Sequence, residues 1–186
     1  MTEKKTITKV LKIISPNGGS ELYDIAVIGG GLAGLALAIQ SARAGYKVIL
    51  FEKEKYPFHK VCGEYISLES WDFLEDLGVP LSQMDLPIIR RLIVSSPDGT
   101  KIEQALPLGG FGISRYKLDS MLADIAAAAG VLVMQNTKVD NTEFDNELFT
   151  VQFAGKNIKA KIAAGAFGKR SNLDIKWNRR FDMKKD

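Results

Sequence analysis

Apolar and polar positions along this chain sort into short blocks whose period changes several times. Residues 23–28 form an apolar run that ends in glycine, the pattern of a strand buried on both faces. Residues 33–44 are small and aliphatic and are closed by Gly45, which predicts a helix. Residues 47–51 predict a second buried strand, with Glu52 at its carboxyl end. Strand, glycine turn, helix and strand within about thirty residues make a βαβ unit.

A polar loop over residues 53–63 follows, then a predicted helix over 67–77 with Ser67 as its cap and Gly78 as its stop. Residues 91–96 and 100–106 flank Pro97-Asp98-Gly99, a hairpin signal. Leu118, Met121, Leu122, Ile125 and Ala129 then recur at helical spacing, with Asp119 in the first turn and Gly130 just past the end. Residues 131–134 read as a buried strand. Residues 139–144, 148–153 and 158–163 read as a three-stranded meander turning at Asp145-Asn146 and at 155–157. The expected fold is α/β: a Rossmann-like parallel sheet interrupted by a β-meander, over residues 23–175. Residues 1–22 read as an N-terminal extension and 176–186 as a basic tail.

Composition narrows the class. With 186 residues, 46% of them apolar and 25% charged, and a net charge of +3, disorder and collagen-like repeats are excluded. The basic excess sits at the two ends and lacks the aromatic interleaving of a single-strand binding platform, so no nucleic-acid partner is expected. The lone cysteine, Cys62, forms no intrachain disulfide and builds no zinc site, which points to a reducing, cytoplasmic setting. His59 is the only histidine, so no metal cluster is expected, and it reads as a surface-loop residue. Residues 25–42 carry no charge over 18 positions, a length that could span a membrane, but four glycines fall within its first ten. Neither a transmembrane helix nor a signal peptide is expected. Trp71 and Phe73 read as core.

The chemistry concentrates at the first turn. Gly29-x-Gly31-x-x-Gly34 lies between strand and helix, and Glu52 follows Gly29 by 23 positions. The first glycine permits the tight turn, the second lets a pyrophosphate approach the backbone, and the third lets helix and strand pack closely. Amides at the helix start then face the phosphates with about half a positive charge behind them. Glu52 accepts from the adenosine ribose and repels a 2′-phosphate, so FAD or NAD is expected rather than NADP.

The segment Tyr23-Asp24-Ile25-Ala26-Val27-Ile28-Gly29-Gly30-Gly31-Leu32-Ala33-Gly34, with Glu52, resembles the FAD-binding start of two related families. These are the geranylgeranyl reductases and the aromatic hydroxylases of the p-hydroxybenzoate hydroxylase type. Arg115-Tyr116-Lys117-Leu118-Asp119 is similar to their Arg-x-x-Leu-Asp segment, whose arginine contacts FAD. Thr137-Lys138-Val139 resembles the turn whose valine backbone meets the adenine, and Gly165-Ala166-Phe167-Gly168 falls where these enzymes carry Gly-Ala-Asp-Gly. Phe167 thus stands in place of the usual aspartate. The resemblance implies FAD held through Gly29, Gly31, Leu32, Ala33, Gly34, Glu52, Lys53, Arg115 and Val139. Lys60-Val61-Cys62-Gly63 resembles the Lys-x-Cys-Gly segment of geranylgeranyl reductases, in which a cysteine lies close to the flavin, and makes Cys62 the catalytic candidate.

The same resemblance implies a small-molecule or lipid-like substrate, NAD(P)H as electron donor, and either saturation of a carbon–carbon double bond or hydroxylation with oxygen. A complete member has roughly twice this length, and its later Gly-Asp motif is not found here. The expectation is therefore an N-terminal part, inactive by itself, in which residues 91–106 begin the substrate-domain sheet. A non-catalytic dinucleotide-binding remnant and an NAD-dependent dehydrogenase are the alternatives.

Overall fold

Ala26 and Val27 are fully buried in β1 (Leu22–Ile28), as a strand covered on both faces requires. The structure, a computed structural model, describes residues 21–62, 64–168 and 173. Most of the expected N-terminal extension, Gly63, and all of the expected basic tail lie outside the described residues.

From β1 the chain runs through α1 (Leu32–Arg43) to β2 (Val48–Phe51), and the two strands pair in parallel from Ile25 on Val48 to Ile28 on Phe51. Next come β3 (Tyr65–Ser67), α2 (Trp71–Asp76), β4 (Ile88–Ser95), β5 (Lys101–Gly112) and α3 (Arg115–Ala128). The last described strands are β6 (Leu132–Met134), β7 (Val139–Asp145), β8 (Leu148–Phe153) and β9 (Lys156–Gly165). One sheet has the order β6-β2-β1-β9-β8-β7, and a second has the order β3-β5-β4.

The meander β7-β8-β9 is antiparallel, yet the far edge of β9 pairs in parallel with β1, ending with Ile28 on Gly165. The expected interruption is therefore continuous with the parallel sheet. Its inward residues Val151, Phe153, Ile158 and Ala160 join Tyr23, Ala26, Ile49 and Phe51 in one core, where the rings of Phe51 and Phe153 lie 4.8 Å apart. On the opposite face, Leu35 and Ile39 of α1 and Leu118 and Leu122 of α3 pack on Val27 and Leu50. Outside the cores, Lys161 and the Lys47 amide both hydrogen-bond the Asp24 carboxylate at 2.8 Å and hold it below the usual carboxylate range.

Three elements differ from expectation. The predicted helix over 67–77 is divided: Ser67 caps a single 3₁₀ turn, Leu68–Ser70, and α2 starts only at Trp71. Residues 65–67 are drawn into β3 by pairing with β5, where Tyr65 faces Gly112 and Ser67 faces Gly110. A Cβ on Gly110 would stand 2.3 Å from the Tyr65 ring, so glycine makes the seat for that tyrosine. Second, β4 and β5 are longer than the expected hairpin, with a bulge between Ile89 and Arg91. Third, Ser114 caps α3 by accepting from the Lys117 amide, which places Asp119 one turn inside and buried rather than in the first turn.

The end of α2 is closed by a side chain from another element. Arg43 donates to the carbonyls of Asp76 at 2.7 Å and Leu77 at 3.0 Å. Arg43→Ala leaves both without that partner and is expected to lower stability by about 1 kcal/mol, read as a lower urea midpoint at unchanged slope. Among the described residues, no helix is long and apolar enough to cross a membrane.

Candidate dinucleotide site

The glycine turn stands at the carboxyl end of β1, with the ends of β2 and β9 on either side. Gly29 has φ +110°, and a Cβ there would fall 2.5 Å from the Ala166 carbonyl oxygen. A Cβ on Gly34 would fall 2.0 Å from the carbonyl oxygen of Gly29. Both glycines are thus demanded by backbone approach. Gly31 differs: the nearest atoms its Cβ would meet are Lys60 Nζ at 3.7 Å and Arg115 Nη2 at 3.9 Å. It is also the N-cap of α1, with no side chain to close the helix and no acidic residue in the first turn. The helix therefore opens with uncapped amides and its positive dipole end toward a space bordered by two cations.

Glu52 is buried at the end of β2. Its Oε2 accepts the Gly30 amide at 2.9 Å and its Oε1 the Glu54 amide at 3.1 Å. A carboxylate offers about four acceptor positions, so about two remain for a ligand. The backbone around it is pinned to the segment after β6: Thr137 N donates to the Glu52 carbonyl at 2.9 Å and Tyr56 N to Gln135 Oε1 at 3.0 Å. Tyr56 is buried and its hydroxyl donates to the Gly30 carbonyl. Burial, then the charges of Glu52 and Asp119, push that hydroxyl far above the usual tyrosine range, so it stays protonated.

Asp119 gathers the cations. Its helical spacing from Arg115 puts the two on one face, and Arg115 grips it through Nε at 2.7 Å and Nη2 at 2.9 Å. Lys60 binds the same carboxylate at 3.0 Å and lies 4.6 Å above the Phe58 ring. Two cations on one carboxylate leave one positive charge beside Gly31, close to the open helix start. An anion with several oxygens suits that space.

The structure brings Gly29, Gly31, Gly34, Glu52 and Arg115 into one neighbourhood. Leu32 is half-buried and Ala33 exposed in the first turn of α1, Lys53 is exposed just after Glu52, and Val139 is buried at the start of β7. Cys62 is exposed two positions after Lys60, and no hydrogen bond or ion pair of its own is found among the described residues. His59 is exposed, its ring 4.6 Å from that of Tyr116. Ala166 and Phe167 run against Gly29, with Phe167 packed on the core below. Among the described residues, no group of histidine, cysteine and carboxylates is placed to hold a metal. Tyr56 was not signalled by any period or motif, whereas the Arg115 and Asp119 spacing announces their pairing.

The family described as FAD binding domain matches residues 24–60, the stretch that holds the glycine turn, Glu52 and Tyr56. Over that stretch the chain is similar to the FAD-binding domains of flavin-dependent oxidoreductases. It is 31% identical over 161 residues to a digeranylgeranylglycerophospholipid reductase of Methanocaldococcus jannaschii, covering 83% of this chain and 40% of the relative. It is 30% identical over 128 residues to a menaquinone reductase of Mycolicibacterium smegmatis, covering 66% of this chain and 31% of that one. Among solved structures, a geranylgeranyl bacteriochlorophyll reductase-like protein of Thermoplasma acidophilum superposes with a TM-score of 0.70 at 22% identity, covering 87% of this chain and 43% of that chain. A p-nitrophenol 4-monooxygenase of Pseudomonas putida gives 0.71 at 18%, with 83% and 43% covered. The chain spans about 40% or less of the length of these curated relatives.

Proposed function

We propose that the chain binds FAD at the Gly29–Gly34 turn and forms the dinucleotide half of an oxidoreductase acting on a lipid-like or small-molecule substrate. The carrying observation is the uncapped start of α1 at Gly31, faced by Lys60 and Arg115 and flanked by the buried Glu52. These residues fit FAD. The amides of Gly31, Leu32 and Ala33 and the Arg115 guanidinium would hold its pyrophosphate, and Glu52 would accept from the adenosine ribose. Lys53 and the Val139 backbone would border the adenosine, and Gly29 and Gly34 shape the turn.

When bound, FAD supplies two-electron redox chemistry. The chain's own residues fix its charge and orientation, and the negative Glu52 selects against a 2′-phosphate. The Lys60–Cys62 loop would lie toward the reacting end, with Cys62 the candidate there, and NAD(P)H is the proposed electron donor. The β3-β5-β4 sheet, where Leu92, Val94, Ile102 and Leu108 are exposed, supports a substrate-side wall. The substrate class rests on the relatives named for a digeranylgeranylglycerophospholipid and a menaquinone. A single cysteine suits a reducing, cytoplasmic setting.

Titration by fluorescence quenching tests the cofactor. FAD is expected to bind more tightly than NAD, and NADP least, while preference for NADP would overturn the reading. Glu52→Arg is expected to weaken FAD by about 1–3 kcal/mol, the cost of removing a buried polar partner.

A further inference from the structure

We infer that Tyr56 is a positioning residue for the dinucleotide turn: together with Glu52 it locks both peptide groups flanking Gly30, and so aims the Gly31 amide at the ligand's pyrophosphate. The inference rests on the FAD reading above and deepens it.

Residues 29–31 are three consecutive glycines, the backbone with the most freedom to lose. The peptide before the Gly30 α-carbon is held by its N–H on Glu52 Oε2 at 2.9 Å. The peptide after it is held by its carbonyl, which accepts the Tyr56 hydroxyl. In a planar trans peptide the C=O and N–H point in opposite directions. A carbonyl drawn inward to Tyr56 therefore turns the Gly31 N–H outward. No acceptor for that amide is found among the described residues, and Lys60 and Arg115 are the nearest groups on the open side of Gly31. With neither bond, the peptide could rotate and present a carbonyl oxygen to the phosphates.

Position 30 is formally a free position of the Gly-x-Gly-x-x-Gly pattern. Here it is not free. A Cβ on Gly30 would fall 1.9 Å from the Tyr56 hydroxyl oxygen and 2.9 Å from Glu52 Cβ. The hydroxyl occupies the place of a side chain, so Gly30 and Tyr56 are matched to one another across 26 positions. The ring of Tyr56 belongs to the main core and its backbone amide is tied to Gln135, so the hydroxyl is delivered from a rigid base.

The test uses Tyr56→Phe, which keeps the ring and removes the donor. FAD and ADP, which carry the pyrophosphate, are expected to bind about tenfold more weakly, which is about 1.4 kcal/mol. Adenosine, which lacks it, is expected to change less than twofold. Without ligand, the ¹⁵N order parameter of Gly31 is expected to fall from about 0.85 to below about 0.6, while β1 and β2 amides keep their values. Gly30→Ala should weaken FAD more in the wild-type background than in Y56F, because the clashing oxygen is absent there. Equal losses for FAD, ADP and adenosine, or an unchanged Gly31 order parameter, would overturn the inference. A wild-type chain that binds neither FAD nor ADP would instead overturn the functional reading, and the ligand-free measurement would still decide the role of Tyr56.

Discussion

Gly34→Ala is expected to lower stability by about 3 kcal/mol or more, among the largest losses any single methyl group could cause in this chain. The added carbon would lie 2.0 Å from the Gly29 carbonyl oxygen and 3.2 Å from the Ala166 side chain. The first of these is backbone, so no side-chain rotation relieves it, and α1 must move off β1. That shift also opens the contact of Gly29 with Ala166, which joins the turn to β9. Thermal unfolding checks the expectation, at about 2–4 °C for each kcal/mol in a chain of this size. Gly45→Ala is the control: it has φ +89° but nothing within 4 Å of its Cβ, so only the backbone cost of about 1–2 kcal/mol remains. Similar losses for both would show that close packing at Gly34 is not what the glycine serves.

Arg115→Met is expected to act on stability and binding together. It removes two hydrogen bonds, at 2.7 and 2.9 Å, from an Asp119 that is 1% exposed, leaving Lys60 as that carboxylate's remaining ion-pair partner. Breaking a buried pair costs about 3–5 kcal/mol. Because Lys60 remains and Arg115 is partly exposed, about 2 kcal/mol is the expected loss here. The site also loses one positive charge, so FAD affinity should fall by about 2 kcal/mol, or roughly thirtyfold, with a weaker dependence on salt. Arg115→Lys separates charge from geometry, since lysine keeps the charge but cannot form the two-pronged grip. Calorimetric FAD titrations at low and high salt, beside urea unfolding, check both effects. A lysine variant indistinguishable from wild type would mean that charge alone is used.

The βαβ unit was legible because everything that specifies it lies within about thirty residues. Glycines 29, 31 and 34, the aliphatic run of α1 and Glu52 all act on their neighbours. The short strand β3 was not legible, because the extended state of Tyr65 is decided by Gly110 and Gly112, more than forty positions later. The β4-β5 hairpin was legible from Pro97-Asp98-Gly99 at its turn, but its extension back to Ile88 was not, because most residues of β4 are exposed and show no clean alternation. The site divides in the same way. The Arg115 and Asp119 pair follows from helical spacing, but the Lys60 contact to it joins a loop to a helix across 59 positions. Tyr56 sits in a loop, where position in sequence has no periodic meaning, and only the folded turn shows what its hydroxyl meets.

The pairing of β1 with β9 sets an order of events during synthesis. The strand that carries the glycine turn emerges first of the two, and its parallel neighbour emerges more than a hundred residues later, a separation illustrated by Lys161 reaching Asp24 across 137 positions. Until then one edge of β1 has no partner, and the surface that β9 and the meander will cover stays open. Pairing at such sequence separation slows folding, because a long loop must close before its contacts can reward the closure. The Ala166 seat against which Gly29 turns arrives only after β9. Local motif and finished site are therefore separated in time: the nascent chain displays its glycines long before it has the geometry to use them.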